Sequence, residues 1–78
     1  MTEQAARAQP VHSVDRALDL LEALAAGDGA TGITALAART GLHASTAHRL
    51  LATLVRRGWV EREPRTRRYR LAPRAPGA

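Results

Sequence analysis

Apolar residues recur at helical spacing in three separate stretches of the chain, and strand-like alternation is confined to a short region near its C-terminal end. The first stretch carries two apolar stripes. Val14, Leu18, Leu21 and Ala25 form one, and Ala17, Leu20 and Leu24 form another beside it. Ser13 is a suitable N-cap, Asp15 places a negative charge in the first turn, and Gly27 stops the run, so the pattern predicts a helix over 14–26. So wide an apolar face has two explanations. One stripe packs on the core while the other meets a second chain, or the whole helix is sunk deep in its own domain.

Gly27-Asp28-Gly29-Ala30-Thr31-Gly32 is a loop by composition, and Ile33 after it is an isolated apolar residue suited to one rung of a short strand. Thr34 then caps a short helix ending at Thr40, with Leu36 and Ala37 inward. Gly41 supplies the left-handed residue that ends it, and Leu42 folds back as the apolar plug of the turn. The third helix is expected over 44–57, with Gly58 just past its end. Ala47, Leu50, Leu51, Leu54 and Val55 share its inner arc, while Ser45, Arg49, Ala52 and Arg56 share the outer one, flanked by His48 and Thr53. Beyond it the period changes to that of strands. Trp59–Glu63 and Arg68–Leu71, separated by Pro64-Arg65-Thr66-Arg67, read as a hairpin. Residues 1–10 and 72–78 lack periodicity and are expected to be a disordered arm and tail. The expected fold is mainly α with a small β-hairpin, a winged helix-turn-helix of three helices plus wing over residues 11–71.

At 78 residues the chain can build one small core, which disfavours an enzyme with its own substrate pocket. Cysteine is absent, so neither a disulfide framework nor a thiolate metal site is available. No apolar run is long enough to span a membrane and the N-terminus lacks a secretory pattern, so the expected address is cytoplasmic, without membrane contact. Charge changes the picture most. The formal net charge is +5, and residues 56–78 hold eight arginines against Glu61 and Glu63 whereas residues 1–55 are close to neutral. All of the cations are Arg, whose planar fork suits phosphates and the guanine edge. The outer face of the third helix is small apart from its arginines, and no acid occurs between Ala30 and Val60. A face of that kind fits a major groove about 12 Å wide, with the basic hairpin tip on the backbone or minor groove.

Other chemistry is weaker. Ser45 and His48 stand three apart, but no acid is placed to orient the imidazole and an exposed helix face offers no oxyanion pocket. His43 and His48 are five apart and do not share a face as paired metal ligands do. His48 is better read as a groove or phosphate contact, and Trp59, following a helix-ending glycine, as a cover for the core. With Trp59 and Tyr69 as its aromatic residues, the chain lacks the stacking platforms of single-strand binders.

Val11-His12-Ser13-Val14-Asp15-Arg16-Ala17-Leu18-Asp19-Leu20-Leu21, Thr40-Gly41-Leu42, Ser45 through Leu54, Gly58-Trp59-Val60-Glu61 and Tyr69-Arg70-Leu71 together resemble the N-terminal DNA-binding domain of the isocitrate lyase regulator (IclR) family of bacterial transcription factors. The resemblance implies sequence-specific binding of double-stranded DNA in transcription regulation. It places Ser45, Thr46, His48 and Arg49 on a recognition helix at about 44–57, to which Thr34 and Arg56 are added, and a basic wing over 62–70 with Arg62, Arg65, Arg67, Arg68 and Arg70. It also implies a homodimer through helix one, for which Leu20 and Leu24 are the expected contacts. The chain departs from the family at Ala44, often a cation, and at Ala72, usually Gly. It also stops before the family's larger effector-binding domain, so the homodimer is expected to be weak and no small-molecule effector or cofactor is expected. The alternative is a dimerisation or interaction module, for example pairing with a full-length relative; the strongly basic last segment argues against that reading.

Overall fold

A computed structural model of the chain describes residues 11–73. Three helices, α1 (His12–Ala26), α2 (Ile33–Thr40) and α3 (Ala44–Arg56), precede a hairpin of β1 (Val60–Arg62) and β2 (Tyr69–Leu71). The strands are antiparallel with Val60 opposite Leu71, Glu61 opposite Arg70 and Arg62 opposite Tyr69. Each helix packs on the other two, and the hairpin closes the open end of the bundle against α1 and α3.

The core is small and centred on leucine. Leu20, Leu24, Leu36, Leu51, Val60 and Tyr69 are buried, with Ala37, Ala47 and Ala72 filling the narrow spaces between them. Ala47 and Leu51 sit one turn apart on α3, so a four-residue repeat meets the other helices along a single line. Leu42, Leu50 and Leu54 pack against this cluster while remaining partly open.

Both helix ends that shape the turn motif close as the glycines require. Gly41 is left-handed at φ 71°, and the Leu42 N–H donates to Ala37 O at 3.0 Å. Gly58 does the same after α3 at φ 85°. Its N–H donates to Val55 O at 3.0 Å and the Trp59 N–H to Leu54 O at 2.9 Å, a complete Schellman arrangement. A methyl group added at Gly41 meets open space, so Gly41→Ala is expected to cost about 1 kcal/mol through backbone conformation alone, read as a lower thermal midpoint.

Helix starts differ from expectation. Helix α1 begins two residues earlier than a Ser13 cap implies, because the Asp15 N–H reaches Val11 O at 3.0 Å and no side chain caps the end. Helix α2 starts at Ile33 with Gly32 as its cap residue, so Ile33 is helical and the strand rung falls at Thr31. Thr31 exchanges two backbone hydrogen bonds with Tyr69, at 2.7 and 2.8 Å, so β2 lies between β1 and this single rung and the glycine-rich loop is tied to the hairpin. A cap residue contributes only about 1 kcal/mol, which a longer helix or a paired backbone can offset. Ala72, assigned to the tail by composition, is buried and its N–H donates to Trp59 O at 3.0 Å, so packed structure runs one residue past the expected boundary. The arm at 1–10 and the segment 74–78 lie outside the described residues.

Candidate nucleic-acid interface

Helix α3 presents its polar face outward. Ser45, Thr46, His48, Arg49, Ala52, Thr53 and Arg56 are all exposed, while Ala47 and Leu51 anchor the opposite side. Between Ser45 and Arg56 this face runs ~16 Å at 1.5 Å per residue. Val55, expected inward, is 36% exposed and lies at the edge of the face. Arg49 and Arg56 form no ion pair with any described residue. Thr34 is exposed on the first turn of α2, beside a hollow that Arg39 and Arg68 also line. Spacing gives no sign that the interhelical loop folds back beside Arg39 and brings it to this surface.

The wing loop, Pro64–Arg67, is held tightly. The Glu63 N–H donates to Arg68 O at 2.8 Å and the Arg67 N–H to Glu63 O at 2.7 Å. Thr66 Oγ1 donates to Glu63 Oε1 at 2.6 Å and accepts the Arg68 N–H at 3.2 Å. Arg67 is left-handed at φ 63°, among the described residues the only non-glycine at positive φ. An L-residue there costs roughly 1–2 kcal/mol, so a glycine would suit the turn better. Arg65, Arg67 and Arg68 are exposed and form no ion pair with any described residue.

The remaining wing arginines have partners. The Arg62 guanidinium lies 5.4 Å from the ring centroid of Tyr69, its cross-strand neighbour. Arg70 donates from Nε to Glu61 Oε1 at 3.0 Å and from Nη1 to Glu63 Oε2 at 2.8 Å.

Two sequence expectations are corrected here. Leu20 and Leu24, expected at a subunit contact, are 0% and 4% exposed and belong to the chain's own core. The stripe left open is the other one, with Val14 54% and Leu18 50% exposed. Trp59, expected to cover the core, leaves 40% of its surface open, more than a core residue does. Together with Leu21, Leu50 and Leu71 these residues line an open, almost wholly apolar trough between α1, α3 and the wing.

Among the described residues no group of His, Cys, Asp and Glu is placed to hold a metal ion, and no helix is long and apolar enough to cross a membrane.

Two helices joined by a tight glycine turn, a first helix bracing them and a hairpin closing the core define a winged helix-turn-helix. Residues 13–64 match the family model described as the IclR helix-turn-helix domain. The chain belongs to the IclR family of bacterial DNA-binding transcription regulators. It is similar to the glycerol operon regulatory protein of Streptomyces griseus, 39% identical over 64 residues that make up 82% of this chain and 25% of that protein. It is 46% identical over 50 residues to the transcriptional repressor IclR of Escherichia coli K12, covering 64% of this chain and 18% of the relative. The solved IclR-type regulator of Alicyclobacillus acidocaldarius superposes with a TM-score of 0.79 at 35% identity, over 83% of this chain and 26% of that one. The chain thus spans about a quarter of the length of the Streptomyces griseus and Alicyclobacillus acidocaldarius regulators. These relatives are regulators, not enzymes.

Proposed function

We propose that the chain binds double-stranded DNA sequence-specifically, with α3 in the major groove and the wing loop on the backbone or minor groove. The observation that carries this reading is the acid-free outer face of α3, continuous in sequence with a wing tip whose three arginines have no carboxylate partner among the described residues. Ser45, Thr46, His48 and Arg49 lie at the N-terminal half of α3, where a recognition helix meets base edges, and Arg56 further along is placed for a phosphate. Thr34, at the start of α2, is assigned to the backbone. Two copies pair through the trough beside α1, with Val14 and Leu18 in place of Leu20 and Leu24, and read an inverted repeat.

The test is selection of duplexes from a random pool, followed by affinity measurement at two salt concentrations. Enrichment of an inverted repeat with half-sites about one helical turn apart supports the full reading. Salt-sensitive binding without enrichment reduces it to a non-specific basic grip, and no binding gives first place to an interaction module that uses the apolar trough.

The strained wing residue yields a separate expectation. Arg67→Gly relieves a left-handed arginine and removes a tip cation, so the thermal midpoint rises by several degrees, corresponding to about 1 kcal/mol, while affinity for every duplex falls. Gains or losses in both quantities together contradict it.

A further inference from the structure

Glu61 and Glu63 are the only acids after Asp28, yet both sit on the wing. An acid on a duplex-facing surface repels phosphates and lowers affinity unless it does something else. Both lie on the outward face of the hairpin, since Val60 and Tyr69 on the opposite face are buried. Glu61 stands directly across from Arg70, and Glu63 two residues along the same face.

All four polar groups of Glu63 are occupied. Its N–H and C=O close the loop to Arg68 and Arg67. One carboxylate oxygen accepts from Thr66 in the loop and the other from Arg70 on β2. Arg70 in turn joins Glu63 to Glu61 through two different nitrogens of one planar fork. The three side chains sum to one negative charge, so Arg70 here does not contribute a net cation to the wing. Its side chain is 50% exposed, and exposed ion pairs of this kind stabilise a fold by little. What they do fix is the geometry of a short loop.

We infer that Arg70 is a positioning residue: through Glu63 it presets the Pro64–Arg67 loop so that Arg65, Arg67 and Arg68 meet the duplex already ordered, and it is not itself a phosphate contact. The inference rests on the DNA-binding reading above. Ordering the loop before association removes an entropy cost that each of those three arginines would otherwise bear. Lysine cannot replace Arg70 in this role, because a single ammonium does not reproduce two hydrogen bonds from separate nitrogens of a rigid plane.

The test uses the full chain and a duplex that the wild type binds. Affinity is measured across a salt series for wild type, Arg70→Gln, Arg70→Lys and Glu63→Gln, with Arg65→Ala as the control for a direct contact. Amide hydrogen exchange of Arg67 and Arg68 is followed in the same proteins without DNA. A positioning role predicts that Arg70→Gln and Arg70→Lys lose affinity alike, by about fivefold, with the salt slope unchanged, whereas Arg65→Ala lowers the slope by about one per bound copy. It predicts that Glu63→Gln also loses affinity although it removes a negative charge. The two loop amides exchange faster in all three network variants while the amides of α3 do not. Rescue by Arg70→Lys, a slope reduced by Arg70→Gln, tighter binding by Glu63→Gln or unchanged loop exchange each overturns the inference and leaves the DNA-binding reading standing. A wild type that binds no duplex at all overturns that reading, and the positioning role falls with it.

Discussion

Leu20→Ala is expected to lower the thermal midpoint by roughly 10–25 °C, whereas Leu18→Ser, two positions away on the same helix, leaves the monomer's stability within about 0.5 kcal/mol. Leu20 is fully buried between α1, α2 and α3, and truncating it removes transfer free energy and leaves a cavity, together ~3 kcal/mol. That is a large fraction of what a domain of this size possesses, on the order of 0.05–0.15 kcal/mol per residue. Leu18 is half exposed on the open stripe of α1, so a polar replacement there loses little within one chain. Its effect belongs to pairing. Sedimentation at rising concentration should show wild-type self-association that Leu18→Ser weakens, and affinity for an inverted repeat should fall more than affinity for a single half-site. Equal melting of the two variants contradicts the assignment of the stripes; self-association unchanged by Leu18→Ser removes the trough from the subunit contact.

The contrast also shows why the sequence left α1 ambiguous. Its two stripes are about equally apolar, and helical periodicity says only that they are adjacent. Which one is covered depends on where α2 and α3 arrive, and that is a tertiary fact. Helix α3 was legible because its two faces differ in kind: Ala47 and Leu51 against Ser45, Arg49 and Arg56, with Gly58 marking the end by a conformation other residues adopt poorly. The hairpin was legible for a similar reason, its strands interrupted by Pro64 and the polar loop after it. Trp59 is more open than expected, because a large aromatic after a glycine suits a core and a surface plug equally well.

Charge was legible in amount but not in use. Composition treats Arg65, Arg67, Arg68 and Arg70 as one basic segment. Only the strand register, with Glu61 opposite Arg70, separates the arginine joined to two carboxylates from three with no such partner among the described residues. Likewise the left-handed Arg67 has no sequence signature, since the residue type gives no warning of positive φ. A cation kept where glycine costs less is the kind of outlier from which a role in binding is argued.

Arg49→Ala is expected to change which sequences are bound, not merely how tightly. Arg49 is exposed on the outer face of α3, one turn after Ser45, and forms no ion pair with any described residue. An arginine at such a position can place two donors on the O6 and N7 of guanine, an interaction worth about 1–3 kcal/mol of discrimination against the wrong base. Its loss should therefore flatten preference at one base pair per half-site, by roughly 5- to 150-fold, with other positions of the operator still read. A dimer on an inverted repeat loses the contact twice, so the two symmetry-related positions flatten together. Arg67→Ala provides the comparison: it should weaken all duplexes about equally and reduce the salt slope by about one per bound copy, hence about two for a dimer on its operator, as a phosphate contact does. The distinction is read by repeating duplex selection with each variant and measuring the salt dependence on a fixed operator. If Arg49→Ala weakens every duplex by the same factor while its selected sequences match those of the wild type, Arg49 is a backbone contact, and base reading on α3 falls to Ser45, Thr46 and His48.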